Sequence, residues 1–142
     1  MGTYECAPMV ENYHVHSHLT LIADGQERAI PDNVGTVKQS DGTFCHYPIH
    51  THDSSGKIHI EAAAPIDATL GDFFRIWGEP LTFTNVAGFT LQPMTVYIVD
   101  EDGTVTQYAG DLNAIALLSH RQITIVMGPA IAVIPTFTWS GP

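Results

Sequence analysis

The sequence predicts a mainly β domain of the β-rich α+β class: a small antiparallel sheet, barrel or sandwich with one short helix at about residues 69–77. Apolar and polar residues alternate in several short segments, which is the pattern of strands with one buried face. The 12 glycines and 9 prolines are scattered rather than clustered, as turns between short strands require. Only one segment has helical periodicity, and the length of 142 residues indicates a single domain, 1–142.

The first predicted hairpin lies near the start of the chain. A strand over Tyr13–Ala23 precedes the Asp24-Gly25 turn and a returning strand over Gln26–Ile30, because Asp-Gly is a favoured two-residue hairpin turn. The polar, turn-rich segment Pro31–Thr43 is predicted to be a loop. Further strands are predicted over Ile58–Ala62, Thr95–Val99, Thr104–Tyr108 and Gln122–Met127.

The predicted helix begins after Thr69, which is a good N-cap. Asp72, three residues later, completes an acidic variant of the capping box, and Gly78 provides a stop. Between these signals, apolar side chains recur at i, i+3, i+4 and i+7, namely Leu70, Phe73, Phe74 and Trp77. This spacing places them on one helix face, so we expect them to pack in the core rather than bind a ligand.

The charge balance excludes several functions. Five Lys and Arg residues against 15 Asp and Glu residues give a net charge of −10 with neutral histidines. Such a chain is not expected to bind nucleic acid or anionic lipid, because both require basic residues. The apolar tract Ile123–Ile134 is too short to cross a bilayer, so no membrane insertion is expected. No signal peptide is expected either, because the first residues lack basic and apolar regions.

Histidines are concentrated in the first half of the chain, where seven of the eight lie between residues 14 and 59. His14, His16 and His18 alternate along the first predicted strand, and the side-chain period of two places their imidazoles on one face. In the later strand, His59 and Glu61 share a face opposite two isoleucines. If both strands belong to one sheet with their apolar faces towards the core, these polar groups meet on the opposite face.

Two further histidines lie between these strands, in the stretch His50-Thr51-His52-Asp53. We interpret it as a loop that folds over the polar face and adds two imidazoles. Imidazole and carboxylate are ligands of transition metals, and the negative net charge favours a bound cation. The predicted ligands are His14, His16, His18, His50, His52 and His59, alone or with Glu61 or Asp53. Copper or zinc fits them better than iron or nickel.

Three functions are compatible with this pattern. The first is a histidine-rich copper- or zinc-binding protein of the cell envelope, because ligands are abundant whereas nucleotide-binding and nucleophile motifs are absent. The second is a small mononuclear metalloenzyme, a Cu or Fe oxidoreductase or a Zn hydrolase, with Glu61 or Asp53 as general base. The third is a binding or adhesion module with a structural metal. The sequence leaves open the number of ions and whether the chain forms a homo-oligomer.

The two cysteines, Cys6 and Cys45, allow three interpretations. They are two unrelated buried thiols, or they form a disulfide that ties the N-terminal arm to the loop before the second histidine cluster, or Cys45 is a soft metal ligand beside His46. A disulfide would favour an oxidising compartment. The spacing alone does not decide between these interpretations.

Four motifs resemble an uncharacterised family of bacterial and archaeal histidine-rich domains. They are Tyr13–Leu19 (YHVHSHL), His50–Asp53 (HTHD), Gly56–Glu61 (GKIHIE) and Thr69–Gly78 (TLGDFFRIWG). The likeness covers most of the chain and weakens after Trp77. Members of that family are often extracytoplasmic and have a cysteine ahead of the first cluster, where this chain has Cys6. The resemblance therefore implies export and a Cys6–Cys45 bridge, but it implies no established activity.

Overall fold

The computed structural model describes residues 4–139. Residues 1–3 and 140–142, the two ends of the predicted 1–142 domain, lie outside the described residues. Residues 1–3 also begin the segment for which no signal peptide is predicted. The strands are β1 (Tyr13–Ala23), β2 (Gln26–Arg28), β3 (Thr36–Lys38), β4 (Phe44–His46), β5 (Ile49–His50), β6 (Lys57–Ala62), β7 (Leu81–Thr82), β8 (Asn85–Val86), β9 (Met94–Val99), β10 (Val105–Tyr108) and β11 (Gln122–Met127). Helix α1 (Leu70–Trp77) follows β6, and a 3-10 helix (Leu112–Ala114) precedes β11. The predicted mainly β class with a short α-helix is confirmed.

Strand β1 occupies the middle of the main sheet. The strand order is β10-β9-β11-β1-β6-β5, and β2 also pairs with β1. The first half of β1 runs antiparallel to β6, and its second half runs parallel to β11 and antiparallel to β2. Two short ribbons, β3–β4 and β7–β8, lie outside this sheet. Within residues 4–139 the sheet stays open and does not close into a barrel.

The apolar faces of the two central strands form the core. Leu19 and Leu21 of β1, with Ile58 and Ile60 of β6, are at most 1% exposed. The apolar stripe of α1 belongs to the same cluster, with Phe73 and Phe74 buried beside Leu70. The alternation of side chains therefore directs the histidines to the opposite face of the sheet, as the sequence predicts.

Both ends of α1 have the predicted caps. The Thr69 side chain accepts a hydrogen bond from the backbone N–H of Asp72, and the Asp72 carboxylate accepts one from the backbone N–H of Thr69. Gly78 ends the helix with a left-handed φ of 84°. These capping interactions satisfy backbone groups that would otherwise lack partners at the helix ends.

The structure corrects the segment between β2 and β6. The returning strand ends at Arg28 rather than Ile30, and the predicted loop Pro31–Thr43 contains β3, which pairs with β4. A three-residue strand is too short for alternation to be recognised. The predicted loop around His50 is only partly correct, because Ile49 and His50 form β5, which pairs directly with β6, whereas residues 51–56 form the connection to β6. His50 is therefore part of the sheet itself.

The N-terminal arm is fixed by a disulfide and by a backbone bridge. Cys6 is bonded to Cys45, with Cα atoms 5.3 Å apart. One residue further, the backbone groups of Ala7 and His46 exchange two hydrogen bonds of 3.0 and 2.7 Å. The disulfide interpretation of the cysteines is confirmed, and Cys45 is thereby excluded as a thiolate ligand.

Gly56 permits the tight turn that leads into β6, and its replacement by Ala is expected to destabilise the fold. Gly56 has a φ of +89°, and an added Cβ would lie 2.2 Å from the carbonyl oxygen of Leu19. Left-handed backbone disfavours Ala by about 1–2 kcal/mol, and the clash adds about 1–3 kcal/mol of overpacking. Urea denaturation should show that the free energy of unfolding falls by the sum of these effects.

Gly42→Ala is the matched control for this substitution. Gly42 has nearly the same φ, +88°, but no atom lies within 4 Å of an added Cβ. The free energy of unfolding of the Gly42→Ala variant should fall only by the backbone contribution of about 1–2 kcal/mol. If the two variants lose equal stability, the close approach of Gly56 to Leu19 does not constrain the turn.

Candidate metal centre

The register of three neighbouring strands assembles the histidines. His14 and His16 of β1 lie opposite Glu61 and His59 of β6, respectively. On the other side of β6, His50 of β5 also lies opposite His59. Directly opposite residues in antiparallel strands present their side chains on the same face. These five side chains therefore form one polar face across β1, β6 and β5.

Three sets of three side chains at this face are close enough to hold an ion, and two of these sets share no residue. The first, which we call the triple-histidine group, consists of His14, His16 and His59. The second, which we call the carboxylate group, consists of His50, His52 and Glu61. In each set, one ligand atom per residue lies within 4.8 Å of the others. Five of the six predicted histidine ligands are thus brought together.

Glu61, a member of the carboxylate group, contacts histidines of both groups. Its Oε2 is 2.9 Å from Nε2 of His14, and its Oε1 is 2.7 Å from Nε2 of His50. Nε2 of His52 is 4.0 Å from the same Oε1. The glutamate is only 4% exposed, so its charge requires compensation from these neighbours.

Five buried nitrogen or oxygen atoms of the candidate ligands lack a hydrogen-bond partner. In the described part of the chain, six buried side-chain nitrogen or oxygen atoms have none. One is Nε of Arg28, and the other five are Nε2 of His14, His16 and His50, Nδ1 of His59 and Oε1 of Glu61. The short contacts with Glu61 are therefore not aligned as hydrogen bonds. A cluster of buried polar atoms without partners is unfavourable unless a proton, water or ion binds there.

A hydrogen bond to the backbone fixes the orientation of His50. Its Nδ1–H donates to the carbonyl oxygen of Tyr47 at 2.6 Å, so Nε2 of the neutral ring carries a lone pair. That lone pair lies beside a carboxylate oxygen, and two acceptors repel unless a proton or a cation is between them. A proton at this 2.7 Å contact or a bound cation would relieve the repulsion, and a backbone partner on the second ring nitrogen is typical of metal-ligating histidines.

A pocket of about 240 Å³ opens over the two groups. Four of its lining residues are ligand candidates (His14, His52, His59 and Glu61), and Met9 and Glu11 of the N-terminal arm complete it. Glu11 forms a further set of close ligand atoms with His14 and Glu61. Sequence reasoning missed Glu11, because it precedes β1 and belongs to no alternating pattern.

The structure places His18 away from both groups. Its Nε2–H donates to the carbonyl oxygen of Ser55 at 2.6 Å, and its ring stacks on Phe137 with centroids 4.0 Å apart. His18 lies on the same face as His16, but it is opposite Lys57 rather than another ligand. It is a buried, hydrogen-bonded histidine and does not reach the centre.

Asp53 also lies outside the two groups, although it follows His52 directly. Its Oδ1 accepts hydrogen bonds from the backbone N–H and the hydroxyl of Ser55. These bonds lower the pKa of the Asp53 carboxyl. A carboxylate stabilised in its ionised form is a weak general base, so the structure offers little support for that role.

No protein-family model, curated protein or solved structure matches this chain. The resemblance to a histidine-rich family therefore stays a prediction. Among residues 4–139, no helix has both the length and the apolar character that crossing a bilayer demands.

The electrostatics of the face keep three of the candidate ligands, His16, His59 and Glu61, in the protonation state that binds metals. Burial lowers the pKa of His16 to about 4, with the Lys57 ammonium adding to the effect. Burial and the neighbouring imidazoles lower the pKa of His59 to about 3. Burial alone would raise the pKa of Glu61, but the close contact with His50 and the positive charge that His50 and His14 carry when protonated outweigh it and bring the pKa to about 2. At neutral pH the two histidines are therefore uncharged and the glutamate is ionised.

We expect the metal-free protein to lose stability as the pH falls from about 6.5 towards 4. In this window His16 and His59 take up protons in the unfolded chain but not in the folded one, so the free energy of unfolding falls. Glu61 extends the loss below pH 4.5, because its pKa is also lowered on folding. After allowance for solvent screening at the partly exposed His16, the loss by pH 4.5 should be on the order of 2–3 kcal/mol.

The measurement is thermal unfolding in EDTA at pH 7.5, 6.0, 5.0 and 4.5. The control is a His16→Gln, His59→Gln variant, whose melting temperature should vary less over the same range because glutamine does not titrate. A wild-type melting temperature that stays constant from pH 7 to pH 4.5 would contradict the prediction.

Proposed function

We propose that the polar face formed by β1, β6 and β5 binds a transition-metal ion, and that the domain is a copper- or zinc-binding protein. The observation that carries this proposal is the group of five buried atoms, four ring nitrogens and one carboxylate oxygen, that lack hydrogen-bond partners. All five belong to the residues of the triple-histidine and carboxylate groups. Coordination to metal would satisfy these lone pairs, which no hydrogen bond in the described residues does.

The donor chemistry supports copper or zinc. Imidazole nitrogens suit Zn, Cu, Fe and Ni, whereas Mg and Ca prefer an all-oxygen environment. The only cysteines of the chain are joined in a disulfide, so a thiolate site of the zinc-finger type is excluded. Tyr47 holds one ligand, His50, in the tautomer that coordination through Nε2 requires.

We further propose that the domain works outside the cytoplasm, in the cell envelope. The Cys6–Cys45 disulfide supports this location, because structural disulfides persist in oxidising compartments. The resemblance of the histidine motifs to an extracytoplasmic family agrees with it. Handling of copper or zinc in the envelope is the role that these features support best.

The experiment uses untagged protein, purified without chelator, so that an affinity tag cannot supply the histidines. Elemental analysis should find copper or zinc. For chelator-treated protein, added Cu²⁺ or Zn²⁺ should raise the melting temperature, because a ligand at about 1,000 times its Kd stabilises the folded state by about 4 kcal/mol. Protein that contains no metal and shows no response to either ion would support a binding or adhesion module instead.

Two variants make the result specific to this face. His16→Ala combined with His59→Ala removes two of the three ligands of the triple-histidine group and should clearly reduce the metal-induced rise in melting temperature. His120→Asn is the control, because His120 stacks on Trp139 outside both groups, and asparagine tolerates its positive φ of 56°. An equal loss of response in both variants would mean that the ions bind non-specifically to surface histidines.

The pocket over the ligands favours a second candidate, a small metalloenzyme. Its volume of about 240 Å³ gives water or a small substrate access to His52, His59 and Glu61. A metal held by two histidines and a carboxylate with an open position can activate water or oxygen. The test is hydrolysis of p-nitrophenyl acetate by the zinc-loaded protein and oxidation of a chromogenic phenol by the copper-loaded protein. Turnover that His52→Ala abolishes would support this candidate.

A further inference from the structure

One carboxylate lies within 2.9 Å of a histidine from each ligand group, and we infer that Glu61 bridges two metal ions bound at the same time. One ion would lie at the triple-histidine group and the other at the carboxylate group. This inference rests on the proposed function, since it concerns the number of ions and the role of Glu61 within that metal centre.

The first supporting observation is that the two groups share no residue. His14, His16 and His59 form one set, and His50, His52 and Glu61 form the other. Each set has three ligand atoms within 4.8 Å of one another, which is the number of protein ligands of many metal sites with an open position. A single ion requires only one of these sets and leaves the other without a role.

The second observation is the orientation of the Glu61 carboxylate. Oε2 lies 2.9 Å from Nε2 of His14, and Oε1 lies 2.7 Å from Nε2 of His50. Two ligand atoms, each about 2.1 Å from one ion and at right angles, are about 3.0 Å apart. Each oxygen is therefore at the separation expected of two ligands of one ion, and each makes this contact with a histidine of a different group.

The third observation is that burial leaves these atoms without alternative partners. His50, His59 and Glu61 are 1%, 3% and 4% exposed. The unpartnered atoms include Nε2 of His14 and His16 in the triple-histidine group and Nε2 of His50 in the carboxylate group. A single ion in either group would leave the nitrogens of the other unsatisfied, whereas two ions satisfy both groups.

The charge of the surroundings allows two divalent ions so close together. The imidazoles contribute no charge when neutral, and the ionised Glu61 would be shared by both ions. Glu11, whose carboxylate lies close to His14 and Glu61, supplies a second negative charge at the rim of the pocket. The net charge of −10 of the chain acts in the same direction.

The test is to count ions with Cu²⁺ and to measure whether they interact. Untagged protein is titrated with Cu²⁺ by calorimetry, and equivalents with a Kd below about 1 μM are counted. The same samples are examined by electron paramagnetic resonance with spin counting. A carboxylate bridge couples the unpaired electrons of neighbouring Cu²⁺ ions, so the signal per ion falls when both sites are filled. We expect two equivalents, a full signal with one, and a clearly reduced signal per copper with two.

Single variants assign the ions to the groups. His16→Ala should lose the equivalent of the triple-histidine group, and His52→Ala should lose that of the carboxylate group. Each variant should keep one equivalent with an undiminished signal per copper. The control His120→Asn should keep two equivalents and the reduced signal.

The possible outcomes separate this inference from the proposed function. One equivalent in the wild-type protein overturns the two-ion centre and leaves the metal-binding function standing. Two equivalents with a full signal per copper overturn the Glu61 bridge. If the wild-type protein binds no equivalent of Cu²⁺, both the inference and the proposed function are overturned.

Discussion

Replacing Glu61 with Gln is expected to weaken the tightest metal binding at least 100-fold. The substitution keeps the shape of the side chain but removes a carboxylate that lies within 3 Å of ring nitrogens from both groups. A carboxylate about 4 Å from each unit of positive charge contributes about 4 kcal/mol at an effective dielectric constant of about 20. Loss of about 3 kcal/mol after relaxation corresponds to roughly 100-fold in Kd.

Competition against a chromogenic chelator measures this affinity, with Glu101→Gln as the matched control. Glu101 is exposed and lies 3.1 Å from Nδ1 of His120, so its substitution removes a glutamate beside a histidine but outside the centre. The control should bind metal as the wild-type protein does. If Glu61→Gln binds within threefold of the wild type, the ion is held elsewhere.

Replacing both Cys6 and Cys45 with Ala is expected to lower the free energy of unfolding by about 4 kcal/mol. The disulfide closes a loop with a sequence separation of 39 residues, and the chain-entropy model assigns about 4 kcal/mol to a loop of this length. Because the total stability of a domain is only about 5–15 kcal/mol, the melting temperature should fall by more than 10 °C.

Guanidinium denaturation with and without a phosphine reductant measures the effect. The reductant should destabilise the wild-type protein as much as the double substitution does, and it should leave the double variant unchanged. A free energy of unfolding that differs by less than about 1 kcal/mol between the wild-type protein and the double variant would contradict the prediction. The arm would then be held by its other contacts, which include the backbone bridge between Ala7 and His46.

The elements that the sequence predicts well are those with long, uninterrupted patterns. Strand β1 has the predicted bounds, Tyr13–Ala23, because alternation extends over eleven residues and ends at an Asp-Gly turn. Helix α1 has both of its predicted caps. Strands β3 and β5, of three and two residues, carry no such pattern, because pairing with a neighbour rather than local preference stabilises them.

The same difference applies to the candidate metal centre. Alternation predicts that His14, His16, His59 and Glu61 share a face, but it cannot give the register between β1 and β6. That register places His16 opposite His59 and His18 opposite Lys57. His18 therefore satisfies the local pattern and still misses the centre. Glu11 joins the centre through the path of the arm, which depends on tertiary contacts.

The disulfide-linked arm has a practical consequence for work with copper in its reduced state. Met9, three residues after Cys6, lines the pocket over the ligands, so the bridge constrains a wall of that pocket. Dithiothreitol, often added to maintain Cu⁺, would open the bridge and also chelate copper. Ascorbate is the appropriate choice, since it reduces the metal without attacking the sulfur–sulfur bond.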